Sequence, residues 1–270
     1  MRFRLDKGTA VKFDLERTLN CGQCFRWDFD GTNWNGVAFN REVSIQLDGD
    51  HVWAVCENYS DVQIWRDYFD FNTDYSKIIK NISEVHPFLA RLAKIHGGIH
   101  ILKQDPWEVL CSFIISQNNN IPRIKSIISR LCEAFGTKIS RGYSFPGPER
   151  LANAGLEELR CLRAGFRAKY IIDASRKVAG AEIEFNTLSQ LSVSEACRQL
   201  QIVNGVGPKV ANCVMLYGLH RLDAFPIDVW IKRILNKYFP NKACDFFGPF
   251  AGVAQQYLYH EGRNSRTSLD

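Results

Sequence analysis

The sequence has no long apolar run. A membrane-spanning helix needs about 20 consecutive apolar residues, and no stretch of this chain approaches that length. The opening residues, MRFRLDKG, also lack the apolar core of a secretion signal. Although Lys and Arg together number 34, no block of them resembles a nuclear-import cluster. We therefore expect an intracellular protein without a membrane partner. Its net charge of +5 allows an anionic partner without requiring one.

The chain also lacks a set of cysteines with the spacing of a zinc site. Its nine cysteines are an odd number and are scattered, which without a secretion signal indicates a reducing compartment. Cys21 and Cys24 are spaced like a metal or redox pair. No second Cys or His pair follows at zinc spacing, and a predicted strand, not a helix, comes next. We expect no metal centre at this pair.

The hydrophobic pattern predicts an α+β fold in two parts. Apolar and polar residues alternate in the first part, where Asp30-Gly31 and Asp48-Gly49 supply hairpin turns. From about residue 61 the pattern becomes helical, and Gly97-Gly98 is the predicted break between the two parts. We predict a twisted antiparallel sheet domain with short helices at 1–98, followed by a mainly helical domain at 99–270.

Local signals place helices in the second part. In Asp105-Pro106-Trp107-Glu108 we predict an N-cap, a proline at the first helical position and a glutamate that closes a capping box. Three asparagines at 118–120 favour a loop rich in donors and acceptors, and a helix is predicted from about Ile121 to Ala134. The last helix is predicted to end near Tyr259, before a loose polar tail.

The stretch from Leu200 to Leu235 contains the most informative motif. Gly205-Val206-Gly207 separates two apolar segments, and glycines let the backbone turn tightly and approach a ligand. Pro208 suits the first turn of a helix. The pattern predicts helix, glycine hairpin and helix, with free N–H groups that suit a phosphate. Asp228 is the predicted N-cap of the next helix.

The residues alone leave two interpretations of this stretch open. Lys209, just after the glycines, either contacts a phosphate or carries out chemistry. Asp228 is either a helix cap or the carboxylate partner of that lysine.

The stretch resembles the helix-hairpin-helix DNA glycosylase superfamily, whose bifunctional members carry a lysine and an aspartate at these two places. Other segments occur in family order and resemble one branch, the 8-oxoguanine DNA glycosylases of the eukaryotic type and their bacterial relatives. These segments are Gly22-Gln23-Cys24-Phe25-Arg26-Trp27, Gln104-Asp105-Pro106, Asn118-Asn119-Asn120-Ile121 with Arg123, Gly165-Phe166-Arg167-Ala168-Lys169-Tyr170, and Gly248-Pro249-Phe250-Ala251-Gly252.

The resemblance implies a repair enzyme that flips 8-oxoguanine out of duplex DNA and removes it through a lysine Schiff base, followed by β-elimination. Lys209 would be the nucleophile and Asp228 its partner carboxylate. The implied base-binding residues are Gly22, Cys213, Gln255 and Tyr259. The implied DNA-binding residues are Asn118, Arg123, Phe166, Arg167, Gly205 and Gly207.

Within these sets the resemblance implies separate tasks. The Gly22 carbonyl would contact the damaged base, and Asn118 would fill the gap that the base leaves. Arg123 and Arg167 would contact the orphaned opposite base, while Phe166 would wedge into the stack. Three positions depart from the eukaryotic pattern, which has tyrosine for Phe166, phenylalanine for Tyr259 and histidine for Trp230.

The resemblance also implies partners and cofactors. We expect a monomer that binds double-stranded DNA with 8-oxoguanine, preferably opposite cytosine, in the nucleoid if the source is prokaryotic. No cofactor is expected to be required. A monovalent or divalent cation could bind the backbone carbonyls of Gln201, Val203 and Val206. The iron–sulfur loop of some relatives is absent, since only Cys244 follows Cys213.

Two other functions compete with this interpretation. The first is a glycosylase for another lesion, such as an alkylated purine. Lys209 argues against it, because monofunctional members of the superfamily typically use aspartate alone and water. The second is a non-catalytic DNA-binding module, which the pairing of Lys209 with Asp228 opposes.

Overall fold

The computed structural model describes residues 1–6 and 11–264. Its first elements are β1 (Arg2–Arg4), α1 (Leu15–Asn20), β2 (Trp27–Phe29), β3 (Trp34–Ala38), β4 (Arg41–Asp48), β5 (His51–Val55), α2 (Asp61–Tyr68), α3 (Tyr75–Val85) and α4 (Pro87–His96). The later elements are α5 (Pro106–Ser116), α6 (Ile121–Phe135), β6 (Lys138–Ile139), β7 (Gly142–Tyr143), α7 (Pro148–Ala152), α8 (Arg167–Ala179), α9 (Phe185–Gln190), α10 (Val193–Leu200), α11 (Pro208–Cys213), α12 (Val229–Tyr238) and α13 (Ala251–Asn264). Short 3-10 segments occupy Glu158–Leu162 and Cys244–Phe250.

The final helix is longer than the sequence predicts. It continues to Asn264 rather than ending near Tyr259. The rest of the predicted loose tail, residues 265–270, lies outside the described residues. Within the described ranges, no helix combines the length and the apolar character that crossing a membrane requires.

Five strands form the predicted antiparallel sheet, in the order β1-β5-β4-β3-β2. The predicted turn at Asp30-Gly31 is confirmed: the Asp30 carboxylate accepts the Thr32 and Asn33 N–H groups at 2.9 and 2.7 Å. Helix α1 was not predicted, because six residues are too few to show a helical period. The Asp14 carboxylate caps it by accepting the Arg17 N–H at 2.9 Å.

One face of the sheet packs on α2 and the residues that follow it. This core is unusually aromatic, and its rings meet edge-on or tilted. The indole N–H of Trp27 donates to the Tyr68 hydroxyl at 2.7 Å. A Cβ on Gly36 would lie 2.4 Å from the Trp27 ring, so only glycine fits there. The main members of this core are Trp27, Val43, Ile45, Val52, Ala54, Trp65, Tyr68 and Phe69.

The helices form a second, larger core. Helices α3 and α4 precede residue 98 but belong to this core through Ile78, Ile82, Leu89 and Leu92. The division between the two cores thus does not coincide with residue 98, and the domain boundary there stays a prediction. The overall architecture, a sheet followed by a mainly helical part, is the predicted α+β fold.

Helix α5 begins as predicted, but its capping box is incomplete. The Asp105 carboxylate accepts the Glu108 N–H at 2.9 Å. The Glu108 carboxylate does not turn back to the cap, since it accepts from the Arg26 guanidinium at 3.2 Å. Burial raises the pKa of Glu108 to about 7, although Arg26 opposes that shift. This ion pair links the segment before β2 to the helical core.

His100 should contribute a loss of stability in mild acid. This ring is 2% exposed, stacks on Tyr75 at 3.8 Å between centroids and hydrogen-bonds the Phe69 carbonyl. Burial lowers the pKa of His100 to about 4. As the pH falls from about 6.5 to about 4, the unfolded chain takes up a proton that the folded chain does not. His100 should therefore lower the free energy of unfolding by up to about 3 kcal/mol over this window, while the raised pKa of Glu108 acts in the opposite direction.

Urea unfolding of the unmodified protein and of His100→Asn, near pH 7 and near pH 4.5, isolates the contribution of His100. The variant keeps an N–H donor for the Phe69 carbonyl but has no titrating ring, so its stability at pH 4.5 relative to pH 7 should be higher than that of the unmodified protein. An equal pH dependence in the variant would contradict the assignment.

Candidate active site

The stretch from α10 to α11 has the predicted helix-hairpin-helix form, with a π-helical turn at Val214–Gly218 extending α11. Gly205 has φ +80°, and a Cβ there would lie 2.3 Å from the Tyr170 ring. Gly207 is extended, and a Cβ there would meet no atom of the described residues within 4 Å. No described side chain caps α11. Gly205 thus packs the turn, while Gly207 and the helix start leave the backbone open to a ligand.

Lys209 is the second residue of α11 and is half-buried. Its Nζ lies 4.7 Å from the centroid of the Phe113 ring. Cys213 is one turn further on and lines the same cavity as the lysine. Burial raises the pKa of the Cys213 thiol to about 11, while Lys209 opposes and Asp228 adds to that shift. The thiol is therefore neutral at physiological pH.

Asp228 is the N-cap of α12, as predicted. Its Oδ1 accepts the Ile231 N–H at 2.8 Å. The side chain is half-buried and lines the same cavity as Lys209. Its charge also helps to raise the pKa of Tyr259, for which burial is the main cause. Capping a helix and facing the lysine are therefore compatible roles for this carboxylate.

A small cavity of about 50 Å³ collects the residues that the resemblance assigned to catalysis and to the base. Its lining includes Lys209, Asp228, Gly22, Cys213, Gln255 and Tyr259. Gly22 has φ +82°, and a Cβ there would lie 3.3 Å from the Tyr259 hydroxyl. The cavity has room for only a few water molecules. A purine is larger, so the side chains around it must move apart before a base fits.

A wider cleft of about 870 Å³ leads to this cavity, and Gly22, Lys209, Asp228 and Tyr259 line both. The cleft wall also holds residues that the sequence reasoning did not select. They include Phe113, Ile227, Val229, Lys232 and Arg263. Lys232 is four residues after Asp228 in a predicted helix, so helical spacing would have indicated it. Arg263 is four residues after Tyr259 but fell in the predicted tail, so only the longer α13 of the structure brings it to the cleft. Phe113 lies on α5, and no local pattern in the sequence distinguishes it from a core residue.

The asparagine loop forms one edge of the cleft. Asn118 is exposed and has φ +47°, a left-handed conformation that asparagine tolerates. The Asn120 carboxamide caps α6 by accepting the Arg123 N–H at 3.0 Å. The Arg123 side chain is exposed. Phe166 is 49% exposed and packs edge-on against Tyr170, so it is not a core aromatic.

Arg167 is not placed as the sequence interpretation expects. A side chain that contacts an orphaned base should face the cleft, but Arg167 is 3% exposed. Its guanidinium donates to the carbonyls of Gln117, Asn118 and Ala164. These carbonyls converge behind the asparagine loop and satisfy the buried donors. In this structure Arg167 therefore supports the Asn118 loop.

The turn between α10 and α11 supplies the three carbonyls expected to bind a cation. The Val203 oxygen accepts the Val206 N–H at 3.0 Å, which leaves it one lone pair. Among the described residues, no group of three His, Cys, Asp or Glu side chains could hold a metal. Any cation here would rely on backbone oxygens, which suit hard cations.

Comparisons with known proteins match this geometry. Residues 6–110 match the 8-oxoguanine DNA glycosylase N-terminal domain, and residues 111–245 match the HhH-GPD superfamily of base excision DNA repair proteins. A yeast (Saccharomyces cerevisiae) N-glycosylase/DNA lyase is 42% identical over 156 residues. That match covers 52% of this chain and 42% of the yeast protein's own length.

Two solved structures are similar over almost the whole chain. A protein termed MBOgg1, in complex with a low affinity DNA ligand, has a TM-score of 0.89 at 41% identity. The superposition covers 98% of this chain and 99% of the MBOgg1 chain. The Clostridium acetobutylicum 8-oxoguanine glycosylase/lyase, in complex with DNA containing cytosine opposite 8-oxoG, has a TM-score of 0.87 at 35% identity. The superposition covers 94% of this chain and 93% of the Clostridium acetobutylicum chain.

The hairpin and the lysine–aspartate cavity are those of a helix-hairpin-helix protein that acts on DNA. The chain belongs to the HhH-GPD superfamily of base excision DNA repair proteins and, within it, to the 8-oxoguanine DNA glycosylase family.

Proposed function

We propose that this protein removes 8-oxoguanine from duplex DNA and then cleaves the abasic site, through a Schiff base on Lys209. One observation carries the proposal: Lys209 and Asp228 line one cavity with Gly22, Cys213 and Tyr259. The substrate is double-stranded DNA with the lesion opposite cytosine, and the protein acts as a monomer. A duplex with one 8-oxoguanine should lose that base and be cut, whereas an alkylated purine in the same duplex should stay in place.

The chemistry divides between the two charged residues. The Lys209 amine attacks C1′ through its nitrogen lone pair as the glycosidic bond breaks and the base departs. The resulting aminal opens to a Schiff base, which permits elimination of the 3′ phosphate. Asp228 stabilises the positive charge that develops on the sugar and relays protons. The neutral thiol of Cys213 serves as a wall for the base rather than as a nucleophile.

Recognition of the lesion rests on one hydrogen atom. Guanine N7 is an acceptor, whereas in 8-oxoguanine N7 carries a hydrogen. The Gly22 carbonyl accepts that hydrogen and repels the lone pair of normal guanine. Tyr259 and Cys213 hold the two faces of the base, and Gln255, which is 3% exposed, lies on its pairing edge.

Extruding the nucleotide costs a few kcal/mol, which exposed residues at the cleft edge offset. Asn118 fills the vacancy and Phe166 wedges into the stack. Backbone N–H groups near Gly205 and Gly207 bind a phosphate, and a cation on the carbonyls of the same turn steadies it. Trp230, which lines the cleft, takes the place of the family's histidine near the phosphate.

Excision should be faster opposite cytosine than opposite adenine, and Arg123→Ala should narrow that difference. A guanidinium offers two donors to O2 and N3 of cytosine, while adenine presents a donor beside its acceptor. Such a pair of contacts discriminates by about 1–3 kcal/mol. Because Arg167 is buried, we now assign this contact to Arg123.

Single-turnover excision on the two duplexes measures the preference. Arg160→Ala, which removes an exposed arginine paired with Glu157, is the control and should keep it. Equal rates on both duplexes for the unmodified protein would show that no arginine reads the orphaned base.

A further inference from the structure

Gln23 follows the glycine that faces the base and is 1% exposed. Its side-chain amide nitrogen donates to the carbonyls of Thr18 and His100, at 2.9 and 2.8 Å. Its side-chain oxygen accepts the Leu102 N–H at 2.9 Å. A buried side-chain amide with these three hydrogen bonds has one orientation, because rotating the amide group would leave buried polar groups without partners. The backbone next to Gly22 is therefore held from inside the protein.

The main-chain carbonyl of Gln23 is held as well. The side-chain amide of Gln104 donates to it at 2.8 Å. The backbone N–H of Gln104 donates in turn to the Tyr217 carbonyl at 3.1 Å. Tyr217 lies in the π-helical turn that continues α11, the helix that carries Lys209 and Cys213. A continuous series of hydrogen bonds thus joins the Gly22 segment to the helix of the nucleophile.

The segment around Gly22 needs such support because it runs between the two cores. Cys21 and Phe25 belong to the helical core, whereas Cys24 and Trp27 belong to the core under the sheet. Hydrophobic contacts fix the two sides of the segment but not the direction of a glycine carbonyl, since glycine has no side chain to pack.

We infer that Gln23 and Gln104 are positioning residues for lesion recognition: they fix the Gly22 carbonyl relative to Lys209. This inference rests on the function proposed above. Losing the Gln104 contact should misalign the carbonyl and slow removal of 8-oxoguanine. It should not affect cleavage of a duplex that already contains an abasic site, because no damaged base is left there for the Gly22 carbonyl to recognise. The two reactions therefore separate a positioning role from general damage to the fold.

The test uses Gln104→Met, which removes the donor, and Gln104→Glu, which keeps the shape but places an acceptor against the Gln23 carbonyl. Both variants retain the backbone bond to Tyr217. Single-turnover excision from an 8-oxoguanine:cytosine duplex should fall at least tenfold in each. Cleavage of the abasic duplex should stay within twofold. Gln63→Met is the matched control. It loses one hydrogen bond, which the Gln63 side-chain amide donates to Asp67 on α2, and it should change neither reaction.

Each other outcome is decisive. Unchanged excision in both Gln104 variants, or an equal fall in both reactions, would overturn the inference while leaving the proposed function intact. If the unmodified protein cuts the abasic duplex but leaves 8-oxoguanine in place, the proposed substrate is wrong and the inference fails with it.

Discussion

Replacing Lys209 with glutamine should abolish both release of 8-oxoguanine and the covalent adduct that borohydride traps. Glutamine is similar in length but has no nucleophilic amine, so no Schiff base forms and no imine is reduced. Duplex binding should remain largely intact, because the proposed phosphate contacts come from the backbone of the hairpin, where no described side chain caps α11. Gel separation of trapped complexes and a binding titration measure the two effects.

Lys232→Gln is the matched control. Lys232 lines the same cleft one turn after Asp228, so its loss removes an equal charge without removing the nucleophile. We expect this variant to keep the adduct. An adduct that persists in Lys209→Gln would show that another amine attacks the sugar.

Asp228→Asn should lose most of its excision activity while staying folded. The asparagine oxygen can still accept the Ile231 N–H, which the aspartate accepts at 2.8 Å. The negative charge beside the developing positive charge disappears, and removing one such electrostatic group commonly costs about 100-fold to 1,000-fold in rate. The free energy of unfolding should change by no more than about 1–2 kcal/mol, the effect of losing a cap outright.

Asp74→Asn provides the comparison for this result. Asp74 caps α3 by accepting the Ser76 N–H at 3.1 Å and lies outside the cleft lining. Its replacement should alter stability to a similar extent and leave excision unchanged. A fully active Asp228→Asn would reduce Asp228 to a structural cap.

The features that the sequence predicted best are local ones. The hairpin depends on two glycines and a proline within a few residues, and Asp228 caps a helix that starts at the next position. Both therefore appear in the structure as expected. The sheet turn at Asp30-Gly31 is local in the same way.

The features that the sequence could not predict depend on distant partners. Arg167 is buried because it binds the carbonyl of Gln117, which is 50 residues away. Glu108 leaves its capping box for Arg26, which is 82 residues away. No pattern within a helix indicates either contact. The family resemblance named the residues around the base, but the packing of Phe113 against Lys209 required the fold.

The most direct test of the account is to identify the residue that attacks the DNA. The unmodified protein is incubated with borohydride and a duplex carrying one 8-oxoguanine opposite cytosine. The trapped adduct is then digested with a protease, and its peptides are identified by mass spectrometry. We predict that the sugar remnant is attached to Lys209. Attachment to any other residue, or removal of the base without an adduct, would contradict the proposed mechanism.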